Sequence, residues 1–226
     1  MTVEKVKEIK QSFRQIMDGA VAKSQRDKGL HYQLNWGATL PRLREMADEL
    51  RREADEQRRN DAAAEGDTTS LYDLSIALWK EDVRECKILA TMLMPPTEIL
   101  PEVADIWMEQ TPSQEIAEQA AFNLWQHVPY AGEQAFRWIA LDKEYYQLCG
   151  FNVLTRLFMR GTELESRTIN EYIDQTICAL QGPYPAVRKA ALLSIQRFAG
   201  LGLVYQRMAQ SALRQLGLSD AAGQSL

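Results

Sequence analysis

Apolar residues recur along the chain at three- and four-residue spacing, and no run of alternating β-branched residues interrupts them. That period belongs to helices with one buried face, so the pattern predicts an all-α chain without a strand. Helix-breaking punctuation falls at Gly29, Pro41, Gly66-Asp67, Pro95-Pro96, Pro112, Pro129, Leu141-Asp142, Gly161-Thr162, Gly182-Pro183 and Gly200 to Gly202. Roughly ten or eleven helices of about 10–20 residues fit between these points.

Residues 41–60 open with proline in the first turn and carry Leu43, Met46, Ala47 and Leu50 on one stripe before running into nearly pure charge. Such a helix is expected to project beyond the core at its end. The NDAAAEGDTT segment that follows reads as a loop, with Asp67 or Thr68 as N-cap of the next helix. The stretches DVRECKILATML, IAEQAAFNLW, EYYQLCGFNVLTRLF and PAVRKAALLSIQRFA align on a small residue at Cys86, Ala120, Cys149 and Ala190, which are 34, 29 and 41 positions apart. These irregular separations fall in the range of helical repeats, whose helix pairs must stack because one pair cannot cover its own apolar face. Pro185 through Phe198 resembles the second helix of a HEAT repeat. The expected fold is an α-solenoid of HEAT-like antiparallel helix pairs in one domain: capping helices and a charged loop over 1–66, stacked pairs over 67–217, and a flexible tail over 218–226.

Composition narrows the function classes. The chain is 46% apolar and 25% charged, an ordinary globular balance. Its net charge of −5 argues against a chain built mainly to hold polyanions. The charge is uneven, however: residues 151–226 carry +3 and residues 1–150 carry −8, which leaves room for a basic face on an acidic body. Cys86, Cys149 and Cys178 fit no zinc or disulfide spacing and read as small core residues. With His31 and His127 the only histidines, no His-rich metal site is expected. The start is charged and amphipathic, and no stretch approaches ~18 consecutive apolar residues, so a cytoplasmic location without membrane partner, metal or cofactor is expected. Phosphate-binding glycine loops, Rossmann fingerprints, nucleophile elbows and HExxH are all missing.

Two segments add a resemblance. GATLPRLREMADEL, residues 37–50, and LYDLSIALWKEDVRECKILATML, residues 71–93, resemble successive parts of the DNA alkylation repair (AlkD-like) family, with Leu78-Trp79, Glu85, Lys87 and Leu89-Ala90 at matching places. The resemblance implies a bent α-solenoid. In the active members it implies a DNA glycosylase that releases cationic N3- or N7-alkylated purines, in which a carboxylate stabilises an oxocarbenium-like sugar. The family's tryptophan falls on Trp125, but Pro129 stands where the carboxylate is expected one turn later. Leu148 stands in place of a phosphate-holding arginine, and Leu193 in place of a second tryptophan. The nearest replacements are Glu133 for the carboxylate and Arg156 for the arginine.

The residues therefore suggest recognition without chemistry, of duplex DNA or of a protein along a concave face. A glycosylase with relocated residues, using Glu133 and Trp125, is the alternative. Arg156, Arg160, Arg188, Lys189 and Arg197 are the candidate DNA-binding strip, with solvated helix surface as the competing reading. Trp36 stands in a loop outside any apolar stripe and is the tryptophan expected to be exposed for a partner. Trp125 is read either as a stacking platform or as packing between helix pairs, and His127 as a helix-end residue favoured by the helix dipole.

Overall fold

The computed structural model describes residues 2–30, 32–61 and 70–218. Twelve α-helices and one 3-10 turn lie among the described residues, and the predicted all-α class holds. The single β feature there is an isolated bridge between Leu34 and Val83. Contacts divide the chain into two compact units, residues 1–124 and 125–226.

The first unit contains α1 (Thr2–Phe13), α2 (Gly19–Asp27), α3 (Leu40–Asp61), α4 (Leu71–Lys80), α5 (Arg84–Leu93), α6 (Pro101–Glu109) and α7 (Gln114–Asn123). Helix α5 is its centre: every one of its ten residues is buried, and α3, α4 and α7 all pack on it. Burying each of its Leu and Ile side chains contributes on the order of 2 kcal/mol. Beside it, Trp79 of α4 stacks on Trp107 of α6 with ring centroids 4.2 Å apart. The α4 cap is Ser70, whose hydroxyl accepts from the Asp73 amide, so the expected capping by Asp67 or Thr68 moves to the residue next to the helix. Asp67 and Thr68, like His31 and the tail from residue 219, lie outside the described residues.

A helix with no exposed face must pair its own charges, and α5 does so. Arg84, 1% exposed, donates two hydrogen bonds to Glu115 of α7 at 2.9 and 2.6 Å and a third to the Ala38 carbonyl. Glu85 accepts from the backbone amides of Trp36 and Ala38. Tyr32 donates to Glu115 at 2.6 Å. Lys87 donates to the Trp79 carbonyl and sits 4.7 Å from the Trp79 ring, while burial holds its pKa below the ordinary value. The segment 32–38, which would otherwise leave buried backbone groups unpaired, is thereby bound to α5. Gly37 adopts φ +71°, and a Cβ there would meet the Asp18 carbonyl oxygen at 2.0 Å.

On helix α3 the predicted stripe has Leu43, Ala47 and Leu50 buried and Met46 half-buried, and the residues that follow through Arg59 are exposed apart from half-buried Ala54.

The second unit contains the 3-10 turn Trp125–His127, α8 (Ala131–Ile139), α9 (Glu144–Met159), α10 (Ser166–Gln181), α11 (Pro185–Ala199) and α12 (Leu203–Gln215). Helix α9 packs on both α8 and α11, and α11 on α10 and α12. The approach of α9 to α8 depends on Gly150, where a Cβ would lie 2.7 Å from Ile139 Cγ2 and 2.8 Å from the Ala135 carbonyl oxygen. Cys86, Ala120, Cys149 and Ala190 all lie buried, in α5, α7, α9 and α11 respectively, as their alignment implied. Burial raises the Cys86 thiol to about 12 and the Cys149 thiol well above its ordinary value, so both are inert packing groups. Cys178 departs from the expected core role: it is exposed on α10.

Candidate nucleic-acid interface

The predicted basic strip lies entirely in the second unit. Arg156 occupies the last turn of α9, and Arg160 caps that helix. Arg197 lies in the last turn of α11. Phe158 and Phe198, near the ends of the same two helices, pack edge to face at 5.5 Å. The two C-termini therefore meet, so Arg156, Arg160 and Arg197 all lie toward one end of the α9/α11 pair, with Arg156 and Arg160, each two residues from Phe158, about 160° round α9 from the side that meets α11. Arg160 is exposed and donates to the Gln126 carbonyl at 2.7 Å, which ties this end to the 3-10 turn. Arg197 is half-buried and keeps its Nε without a hydrogen-bond partner among the described residues.

Arg188 and Lys189 do not join this group. They open α11, nine and eight residues before Arg197, which places them about 13 Å back along the helix at 1.5 Å per residue. Nine residues also carry Arg188 about 180° round the helix from Arg197. Its guanidinium instead donates to the Gly182 carbonyl at 2.7 Å, fastening the turn between α10 and α11. Lys189 is exposed at that opposite end. Three of the five residues thus lie toward one end of the helix pair and two toward the other, and Arg160 and Arg188 each donate to a backbone carbonyl.

Trp125 is 1% exposed and packs edge-on against Trp138, centroids 5.6 Å apart, so the packing reading of this residue holds and neither ring face is open to a nucleotide. Glu133 is exposed in the first turn of α8. Pro129 lies in the turn between the 3-10 segment and α8, and Leu148 is buried at 2% exposure. His127 belongs to the 3-10 turn, beyond the end of α7. Burial and then the positive charge of Arg160 hold its pKa below the ordinary 6.5, the reverse of the stabilised cation expected at a helix end.

Trp36 is also placed differently from expectation. It is half-buried, its carbonyl accepts from the Asp18 amide at 3.0 Å, and Arg14 lies 5.9 Å over its ring. A loop tryptophan without an apolar stripe looked exposed because its cover comes from residues 14–18 and from α5, distant in sequence.

Sequence reasoning missed the Tyr32, Arg84, Glu85 and Glu115 network. Its signal is the charge at the consecutive positions Arg84 and Glu85 of an otherwise apolar segment. Among the described residues no group of His, Cys, Asp and Glu is placed to hold a metal ion, and no helix is long and apolar enough to cross a membrane.

No protein-family pattern matches the chain, and no curated protein matches it. Among solved structures it is similar to one described as "a new family of proteins related to the HEAT-like repeat DNA glycosylases with affinity for branched DNA structures". That likeness has a TM-score of 0.75 at 12% sequence identity and covers 93% of this chain and 82% of the other. The fold is that of a HEAT-like repeat protein.

Proposed function

We propose that the protein is a DNA-binding repeat protein that recognises its target without excising a base, and that Arg156, Arg160 and Arg197 hold backbone phosphates. The observation that carries this reading is the meeting of the α9 and α11 ends at Phe158 and Phe198, which brings three arginines toward one end of the helix pair, and their planar donors suit phosphate oxygens. The fold likeness to a protein with affinity for branched DNA supports it, and makes junctions the first target to try. Burial of Trp125 favours recognition over catalysis. Membership of the alkylation repair family belongs to the same proposal. Its support is that the two resembling segments meet physically, Glu85 of the second accepting from the Ala38 amide of the first.

The test is fluorescence anisotropy with a labelled four-way junction and a linear duplex across a salt series. Arg156→Ala with Arg160→Ala and Arg197→Ala is expected to weaken binding by roughly tenfold or more and to flatten the salt dependence, since each lost phosphate contact lowers the slope by about one. Lys189→Ala is expected to do less. Thermal melts of the same variants separate lost contacts from lost folding. If the wild type retains no DNA at low salt, a protein partner replaces DNA in this reading. Release of N7-methylguanine or N3-methyladenine from alkylated DNA that disappears in Glu133→Gln would establish the glycosylase instead.

A further inference from the structure

Helices α1 and α3 of the first unit flank a groove of about 340 Å³. Its apolar lining comes from both helices and the turn after α1: Ile9 and Ile16 on one side, Met46 and Leu50 on the other. Ile9 and Ile16 are seven residues apart, while Met46 and Leu50 are four apart on one face of α3, so the apolar floor runs lengthwise between the helices. Lys5 crosses it, bonding Glu53 at 2.8 Å and approaching Glu8 at 3.7 Å.

The rim has a definite sign. Glu45, Glu49 and Glu53 follow one another at intervals of four residues along α3, a row of carboxylates about 6 Å apart. Glu8 stands on α1 across from them. Against these four carboxylates the groove has two cations, Lys5 and Arg42, and Arg42 is engaged with Glu45 at 2.7 Å. Glu49 forms no ion pair among the described residues. The first unit as a whole carries 16 Lys and Arg against 23 Asp and Glu, a balance of −7. A phosphate backbone is therefore excluded from this groove by charge, whereas a cationic guest is favoured.

We propose that the α1/α3 groove docks a basic amphipathic helix from a partner protein. Of the floor, Ile9 and Leu50 are buried, so the half-buried Met46 and Ile16 are the side chains that meet aliphatic residues of the guest, and the α3 row pairs with Lys or Arg residues four apart on it, the arrangement of helix-in-groove recognition. The groove is built from first-unit residues alone, so the proposal does not depend on DNA binding.

The probe is a fluorescent 14-residue Leu/Lys amphipathic peptide titrated into the full-length protein, beside the same peptide with Glu for every Lys. Saturable, salt-sensitive binding of the Lys peptide alone is expected. It should weaken by roughly tenfold in Glu45→Lys with Glu49→Lys, because opposed charges become like charges. Both residues are exposed, so these substitutions leave the core intact. Met46→Asp, which places charge on the floor, is expected to weaken it independently, and amide shifts on binding are expected along α1 and α3. Absence of binding, equal binding of the Glu peptide, or insensitivity to both variants overturns the proposal. So does concentration-dependent self-association abolished by Glu49→Lys, which would make a second copy the occupant.

Discussion

At the scale of single residues, the buried pair Arg84–Glu115 shows how a charge can be required by a fold without being catalytic. The Arg84 side chain is 2% exposed and that of Glu115 17%, so neither ion retains much hydration. Removing one partner of such a pair leaves the other uncompensated and costs about 3–5 kcal/mol. Arg84→Met, which strands both Glu85 and Glu115, is expected to reach that range in urea unfolding. Glu115→Gln is expected to cost less because Glu85 still faces Arg84 at 3.2 Å. Burial pushes the Glu115 carboxyl up, but the hydrogen bonds and charge of Arg84, with the Tyr32 hydroxyl, outweigh it and hold the pKa below 4.5. A carboxyl depressed in the folded state contributes stability fully above its unfolded value and loses it as pH falls through the folded value. The wild type is thus expected to lose stability on acidification below 4.5 more steeply than Glu115→Gln, as melts across acid pH would show. Little of this was legible in the sequence, because burial of Arg84 depends on segments 32–38 and 113–115, which reach it only through tertiary contacts.

At the scale of elements, what the sequence displayed was local. The small residues Cys86, Ala120, Cys149 and Ala190 fell on the corresponding helices because close helix approach demands a small side chain at a fixed place, and that demand is written in residue type. The course of α3 was equally visible, its buried stripe and charged end being properties of one helix. The geometry of the basic strip was not: a spacing of nine between Arg188 and Arg197 looks close in a list of residues but turns them to opposite sides of α11. Helix approach also gives a sharp prediction at Gly150. Adding a methyl group there meets both the flexible Ile139 side chain and the immovable Ala135 carbonyl. Gly150→Ala is therefore expected to destabilise by about 1–3 kcal/mol despite its better helix propensity, as overpacked sites do. Ile139→Val in the same chain removes only Cδ1 and keeps the Cγ2 methyl that faces Gly150, so it is not expected to recover the loss; denaturant midpoints of the single and double variants check this.

At the scale of the whole molecule, charge is divided between the units, −7 in residues 1–124 and +2 in residues 125–226, where ten Lys and Arg meet eight Asp and Glu. For a net −5 protein, the proposed DNA binding must act through local arginines working against the overall field. The two effects have different reach. Direct arginine–phosphate contacts survive at moderate salt, whereas the repulsion between the acidic unit and DNA acts through solvent and fades once the Debye length shrinks to about 8 Å near 0.15 M. Neutralising Glu45 and Glu49 to glutamine is thus expected to speed DNA association at low salt, by severalfold or less, and to leave it unchanged at physiological ionic strength. Loss of Arg156 and Arg160 is expected to weaken binding under both conditions. Stopped-flow association rates and equilibrium affinities over the same salt series distinguish these outcomes. A gain from the glutamine substitutions that persisted at high salt would mean that α3 itself lies at the DNA, contradicting the assignment of its acidic groove to a cationic helix.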